Sequence, residues 1–135
     1  MSPITTHVLD TALGCPARRL RVTLARVSQP FDRGEGHLTA VGGATGGAGV
    51  PVPTFSVVAE GVTDDDGRVA NLLPAHPLVA GTYRLTFHTG PYLAATQRPV
   101  FFPQVDVTFE VERGDAHIHV PLLLSPFGYS TYRGT

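Results

Sequence analysis

Apolar and polar residues alternate with period two along much of the chain. From Arg19 to Val27, the apolar Leu20, Val22 and Leu24 alternate with Arg21 and Thr23, as in a strand with one buried face. Tyr83 to Phe87 repeats the pattern. Gln104 to Val111 is cleaner still, with Val105, Val107, Phe109 and Val111 on one side and Asp106, Thr108 and Glu110 on the other. Ser56 to Ala59 and Arg68 to Leu73 are shorter candidates. Near the end, Ile118 and Val120 would share one strand face and His117 and His119 the other. Asp66-Gly67, Ala80-Gly81-Thr82 and Arg113-Gly114-Asp115 supply turns, the first read as a hairpin that starts the next strand at Arg68. The pattern predicts an all-β antiparallel sandwich or barrel. Only Pro91 to Gln97 suggests a helix, of about two turns, too short to stand alone.

Gly34 to Gly49 breaks the alternation. Gly34, Gly36, Gly42, Gly43, Gly46, Gly47 and Gly49 lie among small residues, and such a stretch buries no core face. We therefore expect a surface insertion, spanning 34–55, within a single domain of residues 1–135. The 15 Gly and 12 Pro argue against a helical bundle, since both break helices. With 42% hydrophobic and 16% charged residues, the chain has a globular composition. A net charge of −1 gives no electrostatic case for nucleic acid or an anionic membrane. No run of about 20 apolar residues is present to span a bilayer. Cys15, the one cysteine, has no internal disulfide partner. Met1 to His7 lacks the basic start and apolar run of a signal peptide, so the expected location is the cytoplasm.

Several chemical readings fail on their own terms. The Gly-rich stretch lacks the G-K-[ST] ending of a phosphate loop. Thr63-Asp64-Asp65-Asp66-Gly67-Arg68 resembles half a calcium loop, but the twelfth position counted from Asp64 is Ala75 rather than the required Glu. Nothing beside Cys15 marks it as an activated nucleophile, and Ser130 lacks a G-x-S-x-G elbow. The paired histidines are richer. His117 and His119 suit either a metal or a proton-transfer site, and equally a plain polar strand face. A metal would need a third ligand, for which His7 is the candidate, yet no carboxylate completes a recognisable zinc motif. The polar tail Tyr129 to Thr135 could be an ordinary frayed terminus.

A family resemblance covers nearly the whole chain except about residues 34–55. Thr6-His7-Val8-Leu9-Asp10, the Asp64-Asp65-Asp66-Gly67-Arg68 turn, Ala80 to Gly90, Val107 to Val111 and the run from His117 to Thr135 occur in the order seen in the 5-hydroxyisourate hydrolases of the transthyretin-like family. The terminal run His117-Ile118-His119-Val120-Pro121-Leu122-Leu123-Leu124-Ser125-Pro126-Phe127-Gly128-Tyr129-Ser130-Thr131-Tyr132-Arg133-Gly134-Thr135 is the most specific part of the match. The family usually ends in Ser where this chain has Thr135, a change that keeps the hydroxyl.

The resemblance implies a transthyretin-like sandwich of two four-stranded sheets with one short helix. It further implies a homotetramer whose active sites lie in the channel between dimers. The implied reaction opens a ring amide of 5-hydroxyisourate, the unstable product of urate oxidation, giving 2-oxo-4-hydroxy-4-carboxy-5-ureidoimidazoline without cofactor or metal. The implied catalytic residues are His7, Arg68 and His119, and the substrate would also touch Tyr132, Arg133, Gly134 and Thr135. These residue types suit the chemistry. A histidine can take a proton from water near neutral pH, with His119 or His7 as the base. An arginine binds planar oxygens and stabilises an oxyanion, and a tyrosine both stacks and donates. The rival within the fold is a non-catalytic carrier of small aromatic ligands. Transthyretin, the example of such a carrier, lacks a counterpart of His119 and has a different tail. A purely structural sandwich would need no polar constellation at all.

Overall fold

Where side chains alternate the backbone is extended, and the computed structural model, which describes residues 2–28 and 53–135, contains nine strands and one helix among them. In chain order these are β1 (Ile4–Asp10), β2 (Cys15–Pro16), β3 (Arg21–Val27), β4 (Phe55–Val62), β5 (Arg68–Val69), β6 (Gly81–Phe87), α1 (Thr89–Ala95), β7 (Val105–Val111), β8 (Ile118–Ser125) and β9 (Gly128–Thr131). One sheet has the order β4-β3-β6-β7 and is antiparallel throughout. The other has the order β2-β1-β8-β9, with β5 also paired to β1. Counting the two-residue strands, this second sheet has five members rather than four. Its central pair, β1 and β8, is parallel, so the sandwich is not antiparallel throughout. A parallel pair needs a long connection, which most of the chain supplies between them.

The core fills the space between the sheets. Ile4 and Val8 of β1 and Ile118, Val120, Leu122 and Leu124 of β8 face Val22 and Leu24 of β3, Leu85 and Phe87 of β6, and Val105, Val107 and Val111 of β7. Each such side chain contributes about 1.5–3 kcal/mol relative to exposure. No helix among the described residues is long and apolar enough to cross a membrane.

Several elements differ from their sequence-based outlines. The strand read over Arg68 to Leu73 is only Arg68–Val69, because Leu72 turns into the core and the Leu73 N–H donates to Ser2 Oγ at 2.9 Å. The Asp66-Gly67 turn does not close a hairpin; β4 lies in one sheet and β5 in the other, so the turn carries the chain between layers. The helix covers Thr89–Ala95, earlier than Pro91 to Gln97, since Gln97 adopts a left-handed φ of 58°. Strand β3 starts at Arg21 because Arg19 is also left-handed, with φ 58°. Ser56 to Ala59 is the middle of a longer strand, Phe55–Val62. The expected insertion at 34–55 lies outside the described residues up to position 52, and Phe55 already belongs to β4.

At the end of β1, Asp10 is 1% exposed and ties this strand to the helix side of the molecule. Tyr92 Oη donates to Asp10 Oδ2 at 2.7 Å, Arg98 Nη1 donates to Oδ1 at 3.1 Å, and Arg98 Nη2 donates to Oδ2. The N–H groups of Ala12 and Leu13 donate to Oδ1, both at 3.2 Å. Burial works against ionisation of Asp10, but the hydrogen bonds from Arg98, Tyr92 and Leu13, with the Arg98 charge, outweigh it and hold the carboxyl below its ordinary 3.8. Burial and the bond to Asp10 push the Tyr92 phenol up to about 12. A depressed carboxyl stabilises the fold fully above its ordinary value and loses that contribution as the pH falls through its folded value. Arg98→Ala should therefore cost about 2 kcal/mol at neutral pH by stranding a buried carboxylate. In urea titrations the difference from the unaltered protein should shrink below about pH 4. Equal midpoints at neutral pH would show that the pair does not hold β1 in place.

Candidate active site

Alternation on β1 turns Ile4, Thr6, Val8 and Asp10 inward and leaves Thr5 and His7 on the outer face of the sheet. The neighbouring strands complete that face by register. Thr5 lies opposite His119 and His7 opposite Pro121 across the parallel pair, while His7 lies opposite Arg68 on β5. Residues from three distant parts of the sequence thus meet on one surface.

Arg68 is presented by a closed turn. Asp64 Oδ1 accepts from the N–H groups of Asp66 at 2.9 Å and Arg68 at 3.0 Å, and the Gly67 N–H donates to Asp64 O at 2.9 Å. These backbone donors, with the nearby charges of Arg68 and His7, hold the Asp64 carboxyl below its ordinary value. Gly67 has φ 75°, and a Cβ there would stand 2.5 Å from Val8 O, so only glycine brings the turn this close to β1.

The tail is not frayed. At the end of β9 Thr131 Oγ1 donates to Pro121 O at 2.8 Å, and beyond it the chain continues along β8, where the Gly134 N–H donates to His119 O at 2.7 Å. Arg133 Nη2 donates to Asp115 Oδ1 at 3.1 Å. A Cβ on Gly134 would come within 2.5 Å of His119 Cδ2, so the absence of a side chain lets the tail lie against the imidazole.

The result is a groove of about 740 Å³ lined by His7, Arg68, His119 and the whole of Tyr132 to Thr135. All seven residues expected from the sequence are brought together here. The groove wall also includes His117 and Thr5, and none of its lining residues is acidic. Thr5, which the sequence does not single out, is central: its Oγ1 lies 2.8 Å from His119 Nδ1 and 3.0 Å from His117 Nε2. The available signal is the i, i+2 spacing of Thr5 and His7, which puts both on one strand face. The two imidazoles stack with centroids 6.5 Å apart. Partial burial pulls the pKa of His119 down, and the charges of Arg68, His117 and His7 add to this, against a small opposing effect of the Thr5 bond. Burial and the neighbouring charges thus disfavour the protonated form of His119, whose Nδ1 is anchored by Thr5. Among the described residues, no three His, Cys, Asp or Glu side chains gather in a metal-holding arrangement. Cys15, on β2, has a free thiol and is not part of the groove.

Known proteins place this geometry in context. The model of the HIUase/Transthyretin family matches residues 4–134. A 5-hydroxyisourate hydrolase of Deinococcus radiodurans is 40% identical over 136 residues, covering 98% of this chain and 95% of that protein. The structure of the Klebsiella pneumoniae 5-hydroxyisourate hydrolase superposes with a TM-score of 0.70 at 34% identity, over 99% of this chain and 100% of that one. Sea bream transthyretin, solved in complex with thyroxine, gives a TM-score of 0.74 at 27% identity, over 99% of this chain and 96% of that one.

The electrostatics of His119 can be read directly. Its imidazole should titrate below the ordinary 6.5 in proton NMR. Arg68→Gln, which removes the largest of the charge contributions to that shift, should move the midpoint upward. A midpoint unchanged by the substitution would show that Arg68 does not act on His119.

Proposed function

The chain belongs to the HIUase/Transthyretin family, and within it we propose that this groove hydrolyses 5-hydroxyisourate in urate catabolism, by acid–base attack of water on the cyclic amide. The observation that carries the reading is an imidazole, His119, whose Nδ1 is bound to Thr5 and which shares one groove with Arg68 and His7. A small-molecule carrier needs shape and apolar contact, but not an anchored, uncharged base beside a guanidinium.

In this mechanism the substrate lies between the tail and the outer face of β1 and β8. Tyr132 offers a ring and a hydroxyl to the planar heterocycle. Arg68 binds the carbonyl oxygen and stabilises the negative charge that develops on it. His119 takes a proton from water through Nε2 as the water oxygen bonds to the carbonyl carbon. The ring C–N bond then breaks, the nitrogen is protonated, and the former carbonyl carbon becomes a carboxylate on the same, ring-opened molecule. His7, opposite Arg68, is placed to bind the substrate and assist that proton delivery. Arg133, Gly134 and Thr135 close the groove, with Gly134 bonded to the His119 backbone. No metal takes part.

The functional unit we propose is a single domain of residues 1–135 assembled as a homotetramer, with the grooves at the dimer–dimer interface. It works in the cytoplasm, with neither nucleic acid nor membrane as partner. Strands β7 and β9 end their sheets, and open edges favour pairing with a second copy. Phe101, Phe127 and Tyr132 are 60%, 69% and 57% exposed, which supports a further apolar contact.

Two measurements test the assignment, with freshly generated 5-hydroxyisourate followed by absorbance beside its spontaneous decay. His119→Asn and removal of 132–135 should each reduce turnover by about 10²-fold or more while leaving the circular dichroism spectrum intact. Thr135→Ser should be nearly neutral. A folded protein without 132–135 that turns over at the full rate would overturn the placement of the site. Prolonged dialysis against chelator should leave activity unchanged, whereas stoichiometric zinc whose removal abolishes turnover would contradict the metal-free mechanism.

A further inference from the structure

We propose that His117, Thr5 and His119 form a proton relay from the groove to solvent, through which His119 changes from base to acid without becoming an imidazolium. The proposal rests on the reading of His119 as the base. It arises from one geometric fact: a single hydroxyl lies within hydrogen-bond distance of two imidazole nitrogens, 2.8 Å from His119 Nδ1 and 3.0 Å from His117 Nε2.

A threonine hydroxyl has one proton to donate and lone pairs with which to accept. Where Thr5 donates one of these bonds and accepts the other, between neutral rings, one of the two nitrogens facing it carries a proton and the other does not. Two arrangements satisfy this. In the first, His119 Nδ1–H donates to Thr5 Oγ1, Thr5 donates to His117 Nε2, and His119 Nε2 is bare and able to act as a base. In the second, His117 Nε2–H donates to Thr5, Thr5 donates to His119 Nδ1, and His119 Nε2–H is an acid. The Thr5 hydroxyl couples the tautomers of the two rings.

The protons balance over a turnover. When His119 Nε2 takes a proton from water, its Nδ1 proton passes to Thr5. The Thr5 proton passes to His117 Nε2, and His117 Nδ1 releases its proton to solvent. Protonation of the leaving nitrogen runs the same chain in reverse. His117 is exposed and His119 half-buried, so the relay leads from the more buried ring of the groove to the more open one. The groups facing His119 explain why such a route matters. Arg68 on β5, His117 beside β8 and His7 on β1 each disfavour a positive charge on His119, while Arg133 in the tail is paired with Asp115. These neighbours disfavour an imidazolium there, and export of a proton avoids it.

The test combines turnover with ring-nitrogen NMR. Thr5→Val keeps the shape and β-branching but removes the hydroxyl, and should lower kcat by about tenfold or more with KM little changed. Thr5→Ser should restore most of that rate. His117→Gln should slow turnover in dilute buffer and recover when free imidazole is added as an external proton carrier, to which the unaltered protein should not respond. Nitrogen-15 spectra report the tautomers independently of activity: the protonated fractions of His119 Nδ1 and His117 Nε2 should sum to one in the unaltered protein at neutral pH and depart from that in Thr5→Val. Full kcat in Thr5→Val, full kcat in His117→Gln without added buffer, or Thr5-facing nitrogens that are both protonated or both bare would each overturn the relay. Full activity in His119→Asn would instead remove the reading of His119 as base, leaving the nitrogen spectra to decide whether the tautomers are coupled.

Discussion

Seven residues of β1 lie parallel to β8 with Thr5 opposite His119 and Thr6 opposite Val120, and this register decides everything built on that sheet. A slip of one residue would bury Thr5 and His7 and expose Ile4 and Val8. The core residues on the inner face therefore hold the outer face in position. On the outer face, the same pairing brings a histidine, a threonine and the His-x-His pair into one wall, and the attachment of β5 to β1 adds Arg68.

Two polar residues on the inner face make the strand specific as well as stable. Thr6 Oγ1 donates to Val120 O, and Asp10 is held by Tyr92 and Arg98. Each would be costly to bury unpaired, so each is satisfied in one alignment and left wanting in a shifted one. The cost of misregister thus exceeds that of misplaced hydrophobic groups alone. The tail depends on the same frame, since it is anchored to β8 through the backbone of His119 and the carbonyl of Pro121.

These inner polar residues also explain what is legible in the sequence. Strands β3, β6 and β7 alternate cleanly and are readable from pattern alone. Strand β1 is not, because Thr6 and Asp10 occupy buried positions and break the apolar period; only the family resemblance marks the segment. The strand expected over Arg68 to Leu73 is too long because Leu72 and Leu73 are apolar for reasons of core packing rather than pairing. Aspartate and glycine correctly signal a turn at Asp66-Gly67, but turn chemistry carries no information about which sheet receives the next strand. In the site, the His-x-His spacing shows that His117 and His119 share a face. Their meeting with His7, Arg68 and the tail is a product of long-range register, which local pattern does not encode. Thr5 is silent in the sequence because its role lies in two hydrogen bonds across the sheet.

The surroundings of His119 connect fold to chemistry. A groove that holds the Arg68 guanidinium beside three histidines favours negative charge on the substrate and disfavours positive charge on the His119 imidazole. Both effects suit the proposed hydrolysis, in which an oxyanion is stabilised while His119 acts as the unprotonated base. The pH dependence of kcat/KM for 5-hydroxyisourate, corrected for spontaneous decay, is the most direct measure of this account. It should rise through one ionisation with a midpoint below the ordinary 6.5 of histidine and stay level to neutral pH. Decay at the spontaneous rate throughout, or an activity that rises only above about pH 7, would contradict a neutral His119 as the base.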